Sequence, residues 1–119
     1  MLKGFENITQ PISDYEKDIL LPVVLRGLKN KVGKEKAVTN KEIVSGMTKA
    51  GFKISDTTVR KLVNHIRTNS LINGLIATSK GYHISTDITE VSNYIDSLDG
   101  RINEILRIRE SMQDYLHKL

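Results

Sequence analysis

The stretch from Thr39 to Ser85 constrains the fold most tightly, because its stop and start signals come in a fixed order. Thr39-Asn40-Lys41-Glu42 reads as a helix start, an oxygen-bearing cap followed three residues on by Glu. Asn40 or Thr39 supplies the cap, and Ile43, Val44 and Met47 face inward. Gly51 ends this helix in the left-handed conformation that glycine alone adopts cheaply. Phe52 and Ile54 then anchor the turn. Ser55 or Asp56 caps a second helix. On it Val59, Leu62, Val63 and Ile66 fall at i, i+3, i+4 and i+7, a single inward stripe. Leu75 to Thr78 and Tyr82 to Ser85 read as short strands joined at Ser79-Lys80-Gly81. Asn73-Gly74 also signals a turn, but its first arm would be only Leu71-Ile72, so the later turn is preferred.

Helix, turn, helix and hairpin in that order is the layout of a winged helix-turn-helix. The expected fold is therefore mainly α with a small β-hairpin, followed by a long C-terminal helix. Residues 13–86 form the winged-helix domain, 87–119 a C-terminal helical dimerisation element, and 1–12 a loose segment. In the loose segment Phe5 and Ile8 are candidates to dock on the domain, while Pro11 argues against regular structure. Ser13-Asp14 begins the first helix, with Asp14 and Glu16 near the positive end of its dipole. Ile19, Leu20, Val23, Val24 and Leu28 have helical spacing and are expected in the core. Pro22 predicts a kink or a restart, and Gly33 the end of the helix. Ala37-Val38-Thr39 reads as a short strand at the base of the hairpin.

The outward side of the second helix of the pair presents Thr57, Arg60, Lys61, Asn64 and Thr68, with Arg67 at its edge. Nearly all are hydrogen-bond donors, which is what phosphates and base edges require of a protein face. Arg60 and Asn64 are the candidate base readers, since guanidinium matches the two guanine acceptors and a carboxamide matches adenine. Lys53, Lys61, Arg67 and Lys80 are candidate phosphate contacts, Lys80 from the hairpin tip. An ordinary solvated helix face is the competing reading. Lys29, Lys31, Lys34 and Lys36 form a second basic cluster, read as a solvated charge run, with an extension of the phosphate footprint as the alternative.

Ile88, Val91, Ile95, Leu98, Ile102, Ile105, Met112, Leu116 and Leu119 alternate spacings of three and four. Arg109 occupies the one slot where the pattern asks for an apolar residue. This is the a/d repeat of a coiled coil. Asp87 caps the helix and Glu90 follows in capping-box position. Asp99-Gly100 is turn-like and leaves open whether the helix runs through or folds back. A homodimer through residues 101–119, with Ile102, Ile105, Arg109, Met112 and Leu116 in the seam, is the preferred reading. Packing of the helix on its own domain is the alternative.

Charge divides along the same line. Residues 1–86 carry 14 Lys/Arg and 7 Asp/Glu, net +7; residues 87–119 carry 4 and 7, net −3, and the two sum to the +4 of the chain. Positive charge gathered on one domain favours a polyanionic partner. Without cysteine there is no disulfide scaffold and no Cys-ligated metal site, and the cytosol is the default compartment. No apolar run is long enough to cross a membrane, and the N-terminus has no apolar signal-peptide core. His65, His83 and His117 lack metal-ligand spacing, and no phosphate-binding loop or nucleophile motif is present. No catalysis or cofactor is expected, and no ligand pocket is readable from the pattern.

The strings TNKEIVSGMTKAGFKISDTTVRKLVNHIR and GLIATSKGYHIST resemble small winged-helix proteins encoded by bacteriophages and prophages. The resemblance covers roughly residues 13–98, and the long heptad tail departs from a minimal winged helix. It implies a DNA-binding or phage-regulatory role, with Thr57, Arg60, Lys61 and Asn64 at the DNA and Lys80 in the wing. The combined expectation is sequence-specific binding of double-stranded DNA by a homodimer, for transcriptional regulation in a phage or mobile element. The alternatives are a winged helix that grips a host protein, or an accessory protein of phage DNA replication.

Overall fold

The computed structural model describes residues 9–119, so the expected docking of Phe5 and Ile8 lies outside the described residues. The chain is mainly helical, with a two-stranded antiparallel sheet and a long C-terminal helix. Contacts divide it into two units, Met1–Thr86 and Asp87–Leu119.

In the first unit Ser13 and Glu16 cap the first helix reciprocally. Ser13 N–H donates to Glu16 Oε1 at 2.7 Å, and Glu16 N–H donates to Ser13 Oγ at 3.2 Å. The helix then passes through a π-helical turn, Glu16–Leu20, directly into α1, Leu21–Leu28. A π turn closes i→i+5 and so spends one extra residue. It lies where Pro22 would otherwise clash with the carbonyl four residues back, at Asp18. The extra residue also rotates the register. Leu20, Leu21, Val24 and Leu28 are buried, while Ile19, expected in the core, is exposed. Gly33 does not end the helix, which stops at Leu28. With φ of 96° it instead lets the loop donate its N–H to Ile84 O at 2.9 Å.

After a 3-10 turn, Lys34–Lys36, the expected strand at Ala37-Val38-Thr39 contracts to one bridge. Val38 and Tyr82 exchange backbone hydrogen bonds at 3.0 and 2.7 Å. Thr39 caps α2, Asn40–Lys49, in a full capping box with Glu42. Gly51, φ 93°, turns the chain so that Phe52 N–H bonds Met47 O. Ser55 caps α3, Asp56–Thr68, by accepting the Thr58 N–H. The α3 stripe Val59, Leu62, Val63 and Ile66 is buried entirely, at 2% exposure or less. It meets Leu20, Val24, Leu28, Met47, Ile72 and Leu75 in one core.

Strands β1, Leu75–Thr78, and β2, Gly81–Ile84, pair in register from Leu75↔Ile84 to Thr78↔Gly81. Ser79 and Lys80 alone form the turn, and Gly81 belongs to the strand. Asn73-Gly74 turns the chain into the hairpin: Gly74 has φ of 77°, and its carbonyl accepts the Ser85 N–H at 2.9 Å. Both strong turn signals are therefore used.

The second unit is a single helix, α4, Ile88–His117, of 30 residues, or about 45 Å. Asp87 caps it by accepting the Thr89 N–H at 2.9 Å. The helix is continuous through Gly100, where a side chain would meet open space. No residue of it is buried, and residues 101–119 are exposed throughout. The alternative of a tail folded back at Gly100 is not what forms. No helix among the described residues is long and apolar enough to cross a membrane.

Candidate nucleic-acid interface

α3 positions the candidate residues because its opposite side is fixed in the core. With Val59, Leu62, Val63 and Ile66 buried, Thr57, Arg60 and Thr68 are left exposed, and Asn64 and Arg67 half-buried beside them. Lys53 is exposed before the helix start, and Lys80 is exposed in the hairpin turn. Thr68 Oγ1 is turned back on its own helix, donating to Asn64 O at 2.8 Å.

Lys61 departs from the expectation. It shares the stripe by spacing, but its ammonium lies 2.8 Å from Glu16 Oε1, and the two side chains are only 15% and 14% exposed. The ion pair clamps α3 to the start of the first helix and takes Lys61 out of the set expected to contact phosphate. Desolvation pushes the Glu16 carboxyl up. Hydrogen bonds from Lys61 and from Ser13 outweigh it and hold the carboxyl below its ordinary range. Lys61 spacing alone could not reveal this, since its partner lies 45 residues away.

Arg60 is embedded in a polar chain built from three elements. Tyr82 Oη on β2 donates to Asn40 Oδ1 on α2 at 2.9 Å. Asn40 Nδ2 donates to Asp56 Oδ1 at 2.6 Å and to Asp56 O at 3.0 Å. Asp56 Oδ2 pairs with Arg60 Nη2 at 3.2 Å. This chain ties hairpin, α2 and α3 together at the point where Arg60 emerges. Desolvation raises the Tyr82 hydroxyl pKa, while the positive charges of Arg60 and Arg67 pull against it. Arg60 and Asp56 are each about half exposed, so their pair is worth only about 0.2–1 kcal/mol and yields readily to a stronger anion. Asp56 and Arg60 stand at i,i+4, a pairing the sequence does signal. Asn40 and Tyr82 were missed as partners, because only the fold brings them together.

A cleft of about 290 Å³, which no sequence pattern announced, is lined by Val23, Gly27, Ile43, Gly46, Met47 and Ala50, with Lys31 and Glu42 as its charged members. Among the described residues no cluster of His, Asp or Glu is arranged to hold a metal. On α4, Ile102, Ile105, Met112 and Leu116 are all exposed and Arg109 lies in the same row. No family model, no curated protein and no solved structure matches this chain.

Proposed function

We propose that the first unit is a winged helix-turn-helix that binds double-stranded DNA, with α3 in the major groove and the β1–β2 turn as its wing. The observation that carries this reading is the division of α3. One side is sealed in the core, and the other offers Thr57, Arg60, Asn64 and Arg67 from a rigid element. Sequence readers need donors held at fixed spacing, and a helix anchored at 2% exposure or less on its reverse side supplies that. Lys53 and Lys80 flank the helix as phosphate contacts, and the net +7 of residues 1–86 supplies the long-range attraction. The exposed row on α4 joins two copies, so that two α3 helices meet an inverted-repeat site. Regulation of transcription in a phage or mobile element is the role that this arrangement fits.

The test is fluorescence anisotropy with random-sequence duplex DNA at low and physiological salt. Affinity that falls steeply and log-linearly with salt is expected, after which selection should yield a preferred inverted repeat. Absence of binding at low salt overturns the proposal and turns the same basic face toward an acidic protein, such as a host factor.

A further inference from the structure

The exposed row on α4 carries more information than the fact of pairing. Ile102, Arg109 and Leu116 are successive a positions, and Ile105, Met112 and Leu119 successive d positions. Leu106 lies at an e position, and Ile108 and Tyr115 lie at g positions, all three exposed. At about 100° per residue, the apolar side chains from Tyr115 round to Leu106 cover about half the helix circumference. Farther up the helix Val91 and Leu98 are half-buried, so the row open on both a and d begins at Ile102.

Two copies can meet along this row in two directions, and the residues discriminate between them. Side by side in parallel, each a residue faces its own copy. Two Arg109 guanidinium groups would then share one layer of an otherwise apolar seam, like charges partly desolvated together. The flanks would also mismatch. In a parallel pair g faces the following e, setting Ile108 against Gln113 and Arg101 against Leu106. Head to tail, a faces d. A full overlap of the segment then sets Ile102 against Leu119, Ile105 against Leu116, and Arg109 against Met112. Each arginine meets a flexible thioether instead of its own copy, and its stem packs while its head reaches solvent. On one flank g faces g, and Ile108 meets Tyr115; on the other e faces e, and Leu106 meets Gln113, so the discrimination rests chiefly on the Arg109 layer.

We propose that residues 101–119 bind a second copy of this chain in antiparallel orientation, in the register that sets Ile105 against Leu116 and Arg109 against Met112. This rests on the self-association reading above and adds its direction. It places the starts of the two α4 helices at opposite ends of the assembly, about 68 Å apart at 1.5 Å per residue.

The chain has no cysteine, which makes disulfide mapping clean. Ile105→Cys and Leu116→Cys change side chains that are 65% and 64% exposed, so neither disturbs the core. The two full-length variants are mixed in equal amounts, oxidised and digested, and the linked peptides identified by mass spectrometry. The antiparallel register gives the mixed 105–116 link, and oxidation of either variant alone leaves it largely unlinked. Homotypic 105–105 and 116–116 links overturn the antiparallel register while leaving self-association standing. Sedimentation of the unaltered chain as a monomer at micromolar concentration overturns the register and the self-association reading together.

Discussion

α3 and the second half of α4 share the same apolar periodicity and end in opposite environments. Val59, Leu62, Val63 and Ile66 are sealed in the first unit, while Ile102, Ile105, Met112 and Leu116 stand in solvent. Period fixes which side of a helix is apolar; it says nothing about what covers that side. For α3 the cover comes from α1, α2 and the hairpin within the same 86 residues. For α4 nothing within residues 101–119 supplies it, and the proposed second copy is what would cover the row.

The contrast can be tested by damaging each row in turn. The largest effect is expected from Leu62→Ala, which opens a cavity at a fully buried site and should cost about 2–5 kcal/mol in denaturant unfolding. Ile105→Asp should leave the melting of the first unit within about 0.5 kcal/mol of the parent. It should abolish self-association in sedimentation and weaken DNA binding by on the order of 10²-fold through lost bivalency. If Ile105→Asp lowers the melting of the first unit instead, the two rows are not independent. Arg60→Ala should cost about 1–3 kcal/mol in affinity and relax preference at one base pair, measured by competition with variant duplexes. Lys61→Ala should do the reverse: it unpairs Glu16, lowers stability by about 1–2 kcal/mol, and leaves the affinity of the folded protein unchanged. The smallest effect is a pH dependence. Glu16 sits below its ordinary value of 4.5 in the folded chain, so it favours folding above that pH. Its contribution fades as pH falls through the lowered folded value, and Glu16→Gln should flatten the stability curve below about pH 4.5.

Local signals in the sequence were mostly sufficient for local structure. Thr39 with Glu42, Ser55 and Gly51 each act within four residues: Thr39 and Ser55 settle cap choices left open between neighbours, and the turn read as Ser79-Lys80-Gly81 forms at Ser79-Lys80 with Gly81 in β2. Errors arose where one element answers to another. Pro22 predicted a disturbance, but a π turn that shifts the buried set from Ile19 to Leu21 could not be read from spacing that assumes one period. Gly33 looked like a helix stop and is instead a contact with β2. For the candidate interface the outward residues of α3 were legible, since the buried stripe fixes them by elimination. The Lys61–Glu16 clamp and the Tyr82–Asn40–Asp56–Arg60 chain were not, because they join residues 45, 42 and 16 positions apart.

The hairpin carries one consequence for descent. At Gly74 and Gly81 the chain turns at positive φ, and a β-carbon at either place would strike a carbonyl oxygen, of Ser85 and of Val38 respectively. Backbone obstructs both positions, so no neighbouring side chain can shrink to make room. Surface lysines and the exposed residues of α3 and α4 can drift, but these two positions can accept no other residue without moving the hairpin. Relatives too diverged to share obvious likeness should still show two glycines seven residues apart, the second followed by an aromatic hydroxyl.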